Sequence, residues 1–93
     1  EKRENLDKAI KAYEVALEVR TRKDFPEQFA MTQNNLGGAY RYLAGVSEGK
    51  EKIDYKNKAL EAYKKAIEIY KEEYFPEQHM MVKRNIEKIM EID

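Results

Sequence analysis

The chain has 93 residues, 18 basic and 18 acidic side chains and no cysteine. A length like this makes one domain, residues 1–93, and zero net charge offers no field to draw in nucleic acid or an anionic membrane surface. A single histidine and no thiol leave no disulfide framework, no thiolate nucleophile and no zinc site of the usual donors, so no metal and no cofactor are expected.

The first segment, 4–23, places Leu6, Ile10, Tyr13 and Leu17 at helical spacing with Ala9, Ala12 and Ala16 beside them, the pattern of an amphipathic helix. It is expected to stop before Pro26, because the residue ahead of a proline is pushed out of the helical region. Phe25-Pro26-Glu27-Gln28 then starts a second helix, 26–45, with proline at its first position and an acid near the positive end of the dipole. This helix carries Phe29, Met31, Leu36, Ala39, Tyr40 and Leu43. Gly45–Gly49 is the one glycine-bearing turn. A third helix, 50–74, bears Ile53, Leu60, Tyr63, Ile67 and Tyr70, and a second Phe-Pro-Glu-Gln at Phe75–Gln78 opens a fourth, 76–92. No strand-like alternation occurs. No apolar run approaches the roughly 18 residues of a spanning helix and no secretory leader is visible, so a cytoplasmic protein without membrane contact is expected.

The chain also repeats itself. Displaced by 50 positions, Lys8–Leu36 falls on Lys58–Ile86 with 12 identities in 29 pairs, among them Ala9, Ala12, Tyr13, Ala16, Met31 and Asn35. A fixed period implies stacked helical units that bury their apolar faces against one another. Gln33-x2-Leu36-Gly37-x2-Tyr40, followed by Ala59-x3-Tyr63 and Ala66, resembles the tetratricopeptide (TPR) repeat, in which W-x2-L-G-x2-Y precedes A-x3-F. The period of 50 exceeds the roughly 34 of the common repeat and is similar to the long-repeat variety of the family.

The resemblance implies an all-α fold of antiparallel helical hairpins stacked as a short TPR-like superhelical array of four helices. In that register 4–23 is a half repeat, 26–74 a full helix pair and 76–92 a C-terminal capping helix. Gly37 and Ala39 are expected where helix backbones approach closely, with Tyr40 and Tyr63 filling the space between the helices. Glu87 and Ile89 replace Gly37 and Ala39 in the fourth helix, as bulk tolerated where no further helix packs.

Family ligands lie along the first helix of each pair. By position, this implies a partner-binding surface of Met31, Asn34, Asn35, Gly38, Arg41 and Tyr42 from the second helix, with Met81, Arg84, Asn85 and Lys88 from the fourth. Amides and cations there suit a carboxylate or a peptide backbone. The competing reading has Asn35 and Asn85 bridging neighbouring helices while Arg84 and Lys88 are merely solvated. Tyr13, Tyr40, Tyr63 and Tyr70 are expected in the core, Tyr42, Tyr55 and Tyr74 nearer solvent, and His79 in a packing role.

One serine, one histidine and no phosphate loop leave no catalytic constellation, so no enzyme is expected. The function expected is a non-catalytic protein–protein interaction module or scaffold that binds a protein or peptide. The alternative is a self-associating structural fragment of a longer array, a possible homo-oligomer. Val15 and Val19 bear on that alternative, because they lie away from the Leu6–Leu17 stripe and lack an obvious partner within the chain.

Overall fold

A computed structural model describes residues 2–92, and the fold there consists of four helices: α1 (Lys2–Val19), α2 (Pro26–Gly45), α3 (Gly49–Ile69) and α4 (Pro76–Met90). Both Phe-Pro-Glu-Gln segments are helix starts. Phe25 and Phe75 share φ −136°, with ψ 63° and 64°, the non-helical conformation expected ahead of proline. Their carbonyls then accept the first helical bonds, from Phe29 N and His79 N at 2.8 Å each. Between α2 and α3 the chain reverses within a few residues, and Gly49 takes φ +62° at the turn's exit, a conformation that costs a residue without Cβ little.

Two helices end sooner than the spacing predicts. α1 stops at Val19 and not near Lys23, and α3 at Ile69 and not near Tyr74. The reason is tertiary: each chain must reverse and bring its phenylalanine back onto the helix end. Phe25 N donates to Thr21 O and Phe75 N to Lys71 O, both at 2.8 Å, which closes matching turns. Arg20 then lies 5.4 Å over the Phe25 ring, and Tyr70 meets Phe75 edge-on at 5.4 Å. α4 likewise ends at Met90, two residues early, where Lys56 Nζ donates to the Ile92 carbonyl.

The contacts fix the directions. Gly37 against Tyr63, the stacked Tyr40–Tyr55 pair (6.1 Å) and the Tyr70 hydroxyl donating to Glu27 O (3.4 Å) make α2 and α3 an antiparallel hairpin. Arg3 pairs with Glu51 (3.1 Å) and Arg22 with Glu68 (2.7 Å), so α1 and α3 run the same way in one layer. α2 and α4 form the other layer, joined where Asn85 Nδ2 donates to Asn34 Oδ1 at 3.0 Å. The described residues therefore form an all-α antiparallel helical array of 37 × 27 × 19 Å.

Two apolar clusters hold the layers together. One gathers Ala30, Ala44, Ala59, Tyr63, Ala66, Tyr70, Val82 and Ile89 between α2, α3 and α4. The other gathers Ile10, Leu36, Ala39, Leu43 and Ala62, with Leu6, Tyr13 and Leu17 of α1 packed on it. Three expectations change here. It is the ring of Tyr63, not a helix backbone, that occupies the space beside Gly37, since a Cβ there would lie 2.5 Å from Tyr63 Cε1. Ile89 is fully buried against α3, so only Glu87 of that pair stands on an uncovered face. Tyr63 and Tyr70 are buried, whereas Tyr13 and Tyr40 are half-buried, and Tyr55 joins the core edge through its stack on Tyr40.

Candidate binding surface

Helical spacing divides α2 into three faces. Thr32, Leu36, Ala39 and Leu43 turn toward α1, and Ala30, Gln33, Gly37 and Ala44 toward α3. What remains is a row of Met31, Asn35, Gly38 and Tyr42 at i+3/i+4 spacing, with Asn34 and Arg41 on the border toward α4. On α4, Val82 and Ile89 are sunk into the core, which leaves Met81, Arg84 and Lys88 in solvent, with Asn85 at the seam. The fold thus brings the residues named from sequence onto two neighbouring helices of one layer.

Met31, Met81 and Tyr42 are 53%, 43% and 37% exposed, large apolar groups in open solvent. Lys2 Nζ sits 4.3 Å from the Tyr42 ring centroid, a cation–π contact that fixes the ring at one end of the face. Asn34 and Asn85 are half-buried and consume part of each other's hydrogen-bonding capacity. The amide bridge between the layers' helices is therefore Asn34–Asn85. Asn85 thus bridges two helices as the competing reading has it, whereas Asn35 remains exposed and makes no such bridge among the described residues, because one residue along a helix rotates its side chain by about 100° out of the seam. Among the described residues Arg41, Arg84 and Lys88 form no ion pair with an acid.

Sequence reasoning missed two features. The Tyr63 hydroxyl, in a fully buried residue, has no hydrogen-bond partner. It reaches beneath Gly38, where an added Cβ would stand 3.9 Å from it. Burial raises the phenol's pKa above its ordinary value, and the nearby Arg41 charge partly offsets that push. The A-x3-Y spacing marks Tyr63 as core but cannot say where its oxygen ends. The second feature is an open groove of about 360 Å³ on the other side of α2, floored by Leu17, Leu36, Tyr40 and Ala62. Glu14, Lys58, Glu61 and Lys65 edge it, a rim of balanced charge.

His79 contacts Tyr70 O through Nδ1 at 2.9 Å and ties the start of α4 to the end of α3, a structural position. No cluster of three or more metal-ligating side chains occurs among the described residues, and no described helix is long and apolar enough to cross a membrane. No protein-family model matches the chain, and no curated protein and no solved structure matches it.

Proposed function

We propose that this chain is a non-catalytic interaction module, similar to the long-repeat tetratricopeptide arrays, that takes an acidic peptide or protein segment along the α2/α4 face. One observation carries the reading: exposed Met31, Tyr42 and Met81 share a face with Arg41, Arg84 and Lys88, none of them paired to an acid among the described residues. Apolar anchors surrounded by unneutralised cations suit a segment that alternates apolar and carboxylate side chains. Guanidinium groups can hold a carboxylate with two parallel bonds, and the exposed Asn35 amide can pair with a peptide backbone. The net charge of zero does not oppose this, because recognition depends on the local field of one face.

The test is a nuclear magnetic resonance titration with a panel of acidic peptides carrying leucine or phenylalanine every third or fourth residue. Shifts should cluster on Met31, Asn35, Gly38, Tyr42, Met81, Arg84 and Lys88 and vanish in an Arg84→Glu/Lys88→Glu variant. Absence of any shift across the panel, or shifts confined to the Leu17–Tyr40 groove, would refute it.

A further inference from the structure

We infer that the outer face of α1 is a self-complementary seat for α1 of a second copy, packed antiparallel about a two-fold axis. Val15 and Val19 are 59% and 67% exposed, and Ala12 is exposed between them and the N-terminal half of the helix. With Lys8 they form a ridge of alternating four- and three-residue steps (8, 12, 15, 19), the seam of a two-helix coiled coil. The repeat keeps two of these four positions in α3, as Lys58 and half-buried Ile69, and changes the setting of the other two. In α3 the counterpart of Val15 is Lys65, which pairs with Glu61 at 3.5 Å, and the counterpart of Ala12 is the buried Ala62.

The charges select both partner and direction. Along one flank of the ridge run Glu4, Lys11 and Glu18 at seven-residue steps, and Lys11 and Glu18 form no ion pair among the described residues. A parallel pair would set Lys8 against its own copy at the N-terminal end of the seam. An antiparallel pair that places Ala12 opposite Val15 avoids this and lays the Lys8 stem along Val19. It also brings Lys11 of each copy beside Glu18 of the other, twice by symmetry. This pairing buries both valines and matches Lys11 with Glu18 across the seam, while Glu4 keeps Lys8 of its own helix at 4.0 Å. The α2/α4 face lies in the opposite layer and stays open, so the inference stands or falls independently of the function proposed above.

One helix pair sits at the small end of protein interfaces, so a dissociation constant on the order of 10–100 µM is expected. Light scattering and sedimentation should show a dimer in the upper part of that range, and Val15→Lys/Val19→Lys should be monomeric with an unchanged helical circular dichroism spectrum. Lys11→Glu and Glu18→Lys should each weaken the dimer roughly tenfold, since each replaces two attractive exposed pairs by two repulsive ones. The double swap should restore it, and an equimolar mixture of the two single variants should form a heterodimer at near wild-type affinity. Because all four positions are exposed, the fold survives each change. A wild-type chain monomeric at about 500 µM, a dimer indifferent to the valine changes, or single variants that fail to complement would each overturn the inference.

Discussion

Alanine at Gly37 and alanine at Gly38 are expected to move stability in opposite directions, although the two glycines are neighbours in one helix. At Gly37 the new Cβ would lie 2.5 Å from Cε1, 2.6 Å from Cδ1 and 2.9 Å from Cζ of Tyr63. Carbon atoms pack at about 3.5–4.0 Å, so the ring would have to retreat by about 1 Å. Tyr63 is fully buried among Ala30, Val82 and Ile89 and has no flexible end to yield. Overpacking of this kind costs about 1–3 kcal/mol, and the better helix propensity of alanine returns about 0.8–1.0 kcal/mol. The net loss is then about 0.5–2 kcal/mol, a fall in Tm of several degrees at this size. At Gly38 the Cβ would stand 3.9 Å from the Tyr63 hydroxyl, an ordinary contact, so the propensity gain survives and the variant should be stabilised by roughly 0.5–1 kcal/mol. Urea melts followed by circular dichroism measure both. A Gly37→Ala/Tyr63→Leu double-mutant cycle should show a favourable coupling, because the smaller side chain removes the collision. The same sign at both glycines, or no coupling to Tyr63, would refute the packing argument.

The unpaired Tyr63 hydroxyl makes Tyr63→Phe neutral or stabilising, by up to about 1 kcal/mol, since the buried group gains nothing for its desolvation; a clear loss in urea melts would mean that the oxygen has a bound partner in solution. Burial raises the pKa values of Tyr63, Tyr40 and Tyr70, so the neutral form is favoured in the fold, and stability complete below pH 10 should be lost as pH rises through the raised values. Thermal melts across alkaline pH check this. The hydrogen bond from Arg3, with its charge, lowers the pKa of Glu51, so the contribution of that pair is present above the ordinary carboxylate value of 4.5 and lost as pH falls through the folded one. Glu51→Gln should melt below wild type at pH 7 and together with it in strong acid. Leucine at Gly37 should destabilise strongly while leucine at exposed Glu87 is near neutral; equal losses in urea would contradict the uncovered face at Glu87.

Local chemistry made several features legible. Proline acts on its immediate neighbours, so both Phe-Pro-Glu-Gln starts could be placed to the residue, and glycine permits the +62° turn exit at Gly49. The 50-residue repeat places Met31, Gly38, Met81 and Lys88 on like helices, because identical patterns bury identical faces. The ends of α1 and α3 were not legible in this way. Nothing at positions 20–24 forbids helix locally, and the stop is imposed by the phenylalanine folding back over Arg20 or Tyr70.

By itself, then, the sequence determined the helices, their starts, their apolar faces and the repeat that aligns them, since these depend on dihedral preference and on a 3.6-residue period. Only the tertiary structure decided that the Tyr63 ring, and not a helix backbone, lies directly against Gly37, and that Asn85 meets Asn34 and leaves Asn35 in solvent. It also decided that Ile89 is buried while Glu87 is not, and that Tyr55 stacks on Tyr40. These outcomes turn on about 100° of helix rotation and a few ångströms of interhelical distance, which are set by how several side chains pack at once.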